Sequence, residues 1–178
     1  MNILNINFEE LYQRHLCRHS QFGLNVGHLG SVFAVYFGLC AIVWEITTLF
    51  VGYAYPPAYI IVGLVTPYML VVLFNVPFKV WLSTLAMVAI IVSAAVFLCP
   101  LISLLGGLAS FTIVLYVVLI LAAHKYQNWA HQFYHKERDM AAFKEKYQKG
   151  LVLFLLLAVY ELPILLNYLV WNKSDWTN

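Results

Sequence analysis

The sequence has few charged residues and no linker-like tracts, and each of these features excludes some classes of protein. Only 10% of its 178 residues are charged, whereas a soluble globular domain carries roughly a quarter. The net charge of +2 is too small to indicate a nucleic-acid-binding protein, so no nucleic acid partner is expected. No Ser-, Gly- or Pro-rich tract divides the chain, which predicts a single helical membrane domain over residues 1–178.

Cysteines are also scarce. Cys17, Cys40 and Cys99 form no CxxC pair, and two of them fall in or beside apolar runs, where cysteine behaves as a small hydrophobe. We therefore expect neither a disulfide framework nor a thiolate metal site. The first residues are polar and acidic, unlike the basic and then apolar start of a signal peptide, so we expect them to remain on the mature protein.

Apolar residues are abundant: they make up 63% of the chain, and the mean hydropathy is +0.81. Apolar runs predict five spans near residues 28–53, 58–75, 79–98, 101–123 and 150–171, each close to the ~20 residues that cross a bilayer. Proline-containing breaks, including Cys99-Pro100, separate them. An amphipathic helix is predicted over 8–22, and a cytoplasmic helical extension of the fourth span over 124–149. The predicted fold class is an all-α integral membrane protein with about five transmembrane helices, or four if 58–75 is re-entrant.

The basic residues are distributed unevenly between the two sides of this arrangement. Nine of the ten Lys and Arg residues fall on the side of the N-terminus, and Lys173 alone falls opposite. The positive-inside rule then places the N-terminus in the cytoplasm, at a bacterial inner membrane or the endoplasmic reticulum, and the C-terminus across the membrane. All six histidines are expected at or near the cytoplasmic interface.

The histidines come from two segments far apart in sequence. His124, His131 and His135 lie within about 40° of one another on one helical face, with Gln127 at its edge. His15 and His19 are spaced four residues apart, and His28 begins the first span. Each pair at this spacing can present two imidazoles to one ion.

This constellation predicts a metal site, because imidazole suits iron, zinc, copper and nickel, and a set without thiolate favours iron or zinc. The candidate metal ligands are His15, His19, His28, His124, His131 and His135. Asn25, Gln127 and Tyr12 are candidate hydrogen-bond partners that would fix the tautomers of these rings. The alternative is an interfacial cluster of hydrogen-bonded histidines without a metal.

Two acids lie inside apolar spans, where an unpaired charge is costly and a functional role is the default hypothesis. Glu161 is a candidate functional residue, while Glu45 is expected to lie deeper, away from the histidines, and to be structural. Lys136 and Arg138 are candidate binders of an acidic headgroup or a substrate carboxylate. Facing anionic lipid is their alternative role.

These residues form a pattern that resembles the fungal and bacterial 2-hydroxy fatty acid dioxygenase family, small multi-span proteins formerly classed as a domain of unknown function. The pattern begins with Tyr12…His19…Asn25-Val26…His28 and continues with Gln127-x-x-x-His131 and Tyr134-His135-Lys136-Glu137-Arg138. Glu161 in the last span resembles the acid of the family's final span. An Asp-His pair associated with the fungal members is absent here, and His124 or His135 stands as its substitute.

The resemblance implies an Fe(II)-dependent α-oxidation, in which O₂ and a 2-hydroxy fatty acid yield a fatty acid one carbon shorter. It marks Asn25, Gln127 and Glu161 as candidate catalytic residues, with the lipid's acyl chain among the spans and its carboxylate and hydroxyl at the metal. The implied partners are a fatty acid derivative, O₂ and the membrane.

Three other functions remain open from the residues. A zinc-dependent hydrolase of lipid amides or esters would use the same histidines and need no O₂. A haem electron carrier would need two histidines facing each other across helices. A non-catalytic metal- or lipid-binding membrane protein would lose no reaction when His131 is replaced.

Overall fold

The computed structural model describes residues 6–52, 56–106, 109–130, 132 and 151–177. These residues form six α-helices: α1 (Phe8–Arg18), α2 (Phe22–Val51), α3 (Pro57–Asn75), α4 (Phe78–Gly106), α5 (Ala109–Ala130) and α6 (Leu151–Leu166). A π-helical turn, Asn167–Trp171, continues α6, and a short 3-10 turn, Lys173–Asp175, follows it. The predicted all-α membrane class is confirmed.

The predicted amphipathic N-terminal helix is present as α1. Asn7 caps it, because its side-chain oxygen accepts a hydrogen bond from the Glu10 N–H, and Glu9 and Glu10 place negative charge beside the positive end of the helix dipole. Four apolar side chains at helical spacing are buried: Phe8, Leu11, Tyr12 and Leu16. The predicted start at residue 8 is correct, but the helix ends at Arg18 instead of residue 22, and α2 already begins at Phe22.

Four helices, α2 to α5, are long and apolar enough to cross a membrane. With a rise of ~1.5 Å per residue, the 19 residues of α3 span about 28 Å. Their outer faces carry large apolar side chains, such as Phe74 at 81% and Leu104 at 80% exposure. An apolar surface of this kind indicates contact with lipid rather than water.

The boundary between the third and fourth predicted spans is wrong. We expected a break at Cys99-Pro100, but Pro100 lies inside α4, which ends at Gly106. A proline removes one backbone hydrogen bond, yet a spanning helix tolerates this when neighbouring groups satisfy the released carbonyls. The next helix begins at Ala109.

The segment that was predicted as the fifth span forms the shorter helix α6. α6 has 16 residues and is not among the four helices long enough to cross a membrane. One face of α6 packs against α1, and the opposite face packs against α2, α3 and α4. The two faces are Leu156, Tyr160, Ile164 and Tyr168 toward α1, and Leu162, Leu165 and Leu166 toward the bundle. α6 therefore lies between α1 and one end of the bundle.

The last described residues lie beside the connection between α1 and α2. The Thr177 N–H donates to the Ser20 carbonyl at 2.8 Å, and the Phe22 N–H donates to the Thr177 carbonyl at 3.1 Å. At the same end, Lys79 in the first turn of α4 lies 5.6 Å from the Trp171 ring. Residues 172–177 thus cross over the α1–α2 connection, and we call them the C-terminal strap.

The closest helix pair is α2 and α5, where glycine allows the backbones to approach. A Cβ atom at Gly38 would lie 2.7 Å from Cγ1 of Ile120, and one at Gly27 would lie 3.0 Å from the Tyr126 hydroxyl. Small residues at such positions are typical of helix contacts in membranes. This contact brings the end of α5, with Gln127, next to the start of α2, with His28.

Candidate histidine site

Six of the predicted site residues meet at the strap end of the bundle, and we call them the histidine cluster. Its members are His15 and His19 from α1 and its end, Asn25 and His28 from α2, Gln127 from α5 and Glu161 from α6. They come from four separate parts of the chain, up to 146 positions apart. The sequence predicted each of them as a site residue, but it could not place Glu161 against His28.

Asn25 is the fully buried centre of the α1–α2 connection. Its side-chain nitrogen donates to the His19 carbonyl at 2.6 Å and to the Gln21 carbonyl at 2.9 Å. Because carbonyl oxygens only accept, these two bonds fix which end of the Asn25 amide carries the hydrogens. The Asn25 side-chain oxygen is therefore the atom that faces His15.

This orientation settles the tautomer of His15. Nε2 of His15 lies 2.7 Å from the Asn25 side-chain oxygen, and since that oxygen can only accept, Nε2 carries the hydrogen and donates it. In the neutral ring, the lone pair then resides on Nδ1. A metal-ligating histidine usually donates a hydrogen bond from the nitrogen that does not bind the metal, and Asn25 accepts such a bond from His15.

The three imidazole rings lie side by side. The ring centres of His15 and His19 are 4.7 Å apart, and those of His19 and His28 are 4.8 Å apart. Two imidazoles bound to one ion through nitrogens ~2.1 Å from it have ring centres roughly 5 Å apart. The spacing of these rings is therefore compatible with a shared ion.

Glu161 connects α6 to both α2 and α5. Its Oε1 accepts a hydrogen bond from the Gln127 side-chain nitrogen at 3.2 Å and lies 3.4 Å from Nδ1 of His28. A carboxylate beside Nδ1 favours a hydrogen on that nitrogen and leaves the lone pair of the neutral ring on Nε2. His28 is 4% exposed and Glu161 26% exposed in their side chains, so the pair is screened only in part from solvent.

The C-terminal strap holds the connection on which His19 and Asn25 depend. The buried Tyr168 hydroxyl donates to the Ser20 carbonyl at 2.6 Å, and the Thr177 hydroxyl donates to the same carbonyl at 2.9 Å. The Trp176 ring packs on Phe22 with 4.4 Å between ring centres. The strap therefore fixes the position of the first residues of α2.

Tyr12 ties α1 to the strap. Its hydroxyl donates to a carboxylate oxygen of Asp175 at 2.7 Å. Burial, together with this bond to Asp175, raises the pKa of the Tyr12 hydroxyl well above its usual value. The hydroxyl consequently keeps its hydrogen at neutral pH. Tyr12 was predicted to partner a histidine ring, but the hydrogen bond found here goes to Asp175.

The structure separates other predicted residues from the cluster. His124 is exposed on α5, with Nε2 at 3.4 Å from the Asn128 side-chain nitrogen. Glu45 is buried 17 residues further along α2 than His28, or about 25 Å, and accepts a hydrogen bond from Ser103. Glu45 therefore lies away from the histidines, as expected. His131, His135, Lys136 and Arg138 lie outside the described residues.

The donor atoms of the cluster fit iron or zinc in their chemistry, since imidazole nitrogen and carboxylate oxygen bind both metals. Over the ranges that the structure describes, however, no group of three or more His, Cys, Asp or Glu side chains is arranged to hold a metal ion. The described side chains alone therefore do not complete a coordination shell. The predicted ligands His131 and His135 are not among them.

Sequence reasoning missed the strap and the residues that bond to it or beside it. Ser20, Tyr168, Asp175 and Thr177 support the cluster through bonds that join positions about 150 residues apart. No periodicity or local motif marks such pairs. The one available signal was the concentration of aromatic residues near the C-terminus, which predicts an interfacial anchor.

Comparisons with known proteins add nothing to this site. No protein-family model, no curated protein and no solved structure matches the chain.

Proposed function

We propose that the protein is a metal-dependent membrane oxygenase that shortens 2-hydroxy fatty acids by one carbon, with iron as the metal. One observation carries the proposal. His15, His19, Asn25, His28, Gln127 and Glu161, which the sequence pattern singled out, converge in one hydrogen-bonded cluster. Residues that serve only their own helices have no reason to converge from four segments.

The reaction balances without a further reductant. A 2-hydroxy fatty acid and O₂ give the fatty acid one carbon shorter, CO₂ and water, as the bond between C1 and C2 breaks and O₂ accepts four electrons. Iron(II), when bound, would supply O₂ activation and a Lewis-acid centre for the substrate's carboxylate and hydroxyl. The ligands from the described part of the chain would be His15 through Nδ1, His19, and His28 through Nε2.

The remaining residues of the cluster position these rings. Asn25 holds His15 in one tautomer, and Glu161 does the same for His28. Gln127 donates to Glu161 and thereby keeps the carboxylate aimed at His28. A carboxylate that is engaged in this way orients a ligand, so Glu161 serves as a positioning residue in this mechanism.

We also propose a membrane topology of four crossings with both ends of the chain in the cytoplasm. Since Thr177 pairs with Ser20, Lys173 joins the side of the N-terminus. In this four-span order, the segments that carry all ten Lys and Arg residues lie on the side of the N-terminus. With all ten basic residues on one side, the positive-inside rule favours a cytoplasmic position for the histidine cluster more strongly than it did with nine of ten in the five-span arrangement.

The test is elemental analysis of the detergent-purified protein, with His28→Ala and His131→Ala beside the wild type. We expect iron in the wild type and loss of most of it in both variants, which should remain folded by circular dichroism. His124→Ala is the matched control and should keep its iron, because His124 is exposed and separate from the cluster. O₂ uptake with a 2-hydroxy fatty acid should follow the iron content.

Three other outcomes of these measurements contradict the proposal. Full metal retention in His28→Ala and His131→Ala contradicts the metal site. Zinc in place of iron, with turnover of lipid amides or esters in the absence of O₂, contradicts the oxygenase in favour of a hydrolase. Absence of any metal after reconstitution, with no reaction, contradicts an enzyme and leaves a lipid-binding protein.

A further inference from the structure

A cavity of about 230 Å³, partly open to the outer surface of the bundle, lies between α2, α3, α4 and α6. It reaches from Tyr36 and Tyr68 at one end to Val43 and Ile61 at the other, and Leu39 and Leu64, both half-exposed, stand at its wall. Apart from the tyrosines, the side chains that line it are apolar or, at Cys40, a thiol. The cavity lies in the part of the helices that crosses the membrane.

Water is a poor occupant for this cavity. A buried water needs two to four polar partners, and cavities with apolar walls stay dry and take up apolar molecules. Here the two tyrosine hydroxyls at one end are the main polar groups, and one of them already donates: Tyr36 to the Ala158 carbonyl at 2.7 Å. The surrounding bilayer supplies hydrocarbon chains, which match the walls.

The tyrosine end of the cavity is the end nearer to the histidine cluster. Ala158 lines it, and Glu161 follows Ala158 by three residues, or about one helical turn. Tyr36 lies eight residues after His28 on α2, or about 12 Å along the helix, with the buried Val32 and Leu162 packed near it. A single-chain lipid with its head on the cluster side would therefore place its tail in the cavity.

The end of the cavity nearest the cluster carries the hydroxyls of Tyr36 and Tyr68. The two rings lie edge-on, with 6.1 Å between their centres, and the Tyr68 hydroxyl interacts with that of Tyr36. Since Tyr36 itself donates to the Ala158 carbonyl, an oxygen near the head of a bound lipid would accept from Tyr68 in place of the Tyr36 hydroxyl.

We propose that this cavity binds the hydrocarbon tail of a single-chain lipid, with Tyr68 donating a hydrogen bond to an oxygen near its head. The proposal rests on the proposed function only for the identity of the head group. It makes Val43 and Ile61, at the far end, the residues that limit chain length.

The first test is photolabelling of the purified protein in detergent with a fatty acid that carries a diazirine at its terminal carbon. We expect saturable labelling within residues 36–43 and 61–68, competed by the unlabelled fatty acid. Val43→Phe, which fills the far end, should abolish labelling by long chains and spare shorter ones. Val114→Phe, a lipid-facing control on α5, should label as the wild type does.

The second test addresses the Tyr68 hydroxyl. Tyr68→Phe should weaken binding of the 2-hydroxy fatty acid by about 2- to 12-fold, the range for one net hydrogen bond. Tyr59→Phe, at an exposed tyrosine of the same helix, should leave the affinity unchanged. Equal affinity in the wild type and Tyr68→Phe contradicts the role of the hydroxyl.

The outcomes separate this proposal from the oxygenase. Labelling spread over the outer faces of all helices without saturation contradicts the cavity, whatever the activity. Saturable labelling of the cavity in His28→Ala, with metal lost, supports the cavity independently of the metal. Saturable labelling without any O₂ uptake in the iron-loaded wild type supports the cavity and contradicts the oxygenase.

Discussion

At the scale of single residues, Asn25 has the most clearly determined role. Both hydrogens of its amide go to backbone carbonyls, and its oxygen accepts from His15. One buried side chain therefore closes the turn between α1 and α2 and sets the chemistry of a histidine. Even a substitution that keeps the shape of Asn25 should therefore disrupt this site if it removes the hydrogen-bond donors of the side chain.

We expect Asn25→Asp to destabilise the protein despite its nearly equal volume. An ionised Asp cannot donate to the His19 and Gln21 carbonyls. The Gln21 carbonyl still accepts from the backbone N–H of residue 25, whereas the loss at the His19 carbonyl costs about 1–3 kcal/mol. The melting temperature in detergent should fall, and the iron affinity should fall by about 10–100-fold. Asn128→Asp is the control at an exposed position of α5. Equal melting temperatures of Asn25→Asp and wild type would contradict the assigned hydrogen bonds.

Glu161→Gln tests the carboxylate at the same scale. Gln keeps the shape but loses the charge that favours a hydrogen on Nδ1 of His28. Iron affinity should drop by about 10–100-fold, as it does when a partner of a metal-ligating histidine is removed. Glu45→Gln, a change at a distant buried acid, is the control. If both variants keep wild-type affinity, Glu161 is a purely structural residue.

At the scale of helices, the α2–α5 contact decides how the cluster is assembled. It carries Gln127 to within reach of Glu161, beside His28, and it depends on a glycine where the helices approach. A helix contact that relies on missing side chains is disrupted by the smallest addition. The two helices should therefore separate before either one unfolds.

Gly38→Ala should destabilise the bundle by about 1–3 kcal/mol, the usual cost of overpacking, because the added Cβ would lie 2.7 Å from Ile120. Gly63→Ala on α3 is the control, since nothing lies within 4 Å of a Cβ there. Thermal unfolding in detergent measures both. The double variant Gly38→Ala/Ile120→Ala should recover part of the loss, and a lack of any effect of Gly38→Ala would contradict the close contact.

At the scale of the whole molecule, the C-terminal strap is the basis of the proposed four-span topology. Because Thr177 pairs with Ser20 and Phe22, the proposal places both ends of the chain on one side of the membrane, whatever the apolar content of α6. α6 is apolar enough to suggest a span. Two of its faces pack against α1 and the bundle, so the residues of those faces contact protein, while Leu155 and Leu157 are exposed.

Fusion reporters test this topology. In a bacterial host, a green fluorescent protein fused after residue 178 should fluoresce, while alkaline phosphatase at the same place should be inactive, because both ends are cytoplasmic. Alkaline phosphatase fused after Gly106, at the opposite end of the bundle, should be active and is the control. An active phosphatase after residue 178 would restore the five-span arrangement.

The sequence by itself determined the membrane class and the approximate positions of α1 to α3, and it singled out the six residues that the structure brings together. Apolar length, capping and helical spacing are local properties, and the six converging residues stood out as polar groups in an apolar chain. Local patterns misplaced the α4–α5 boundary, because a proline such as Pro100 ends a helix in water but is accommodated in a bundle.

The tertiary structure alone decided which polar groups meet. The bond between Glu161 and Gln127, the orientation of Asn25 toward His15 and the strap over Ser20 all join segments far apart in sequence. Such contacts depend on packing against several neighbours at once, as at Gly38 and Ile120. The sequence of an apolar helix such as α6 has the same apolar pattern whether lipid or protein surrounds the helix. Only the folded chain could therefore show that α6 lies between α1 and the bundle.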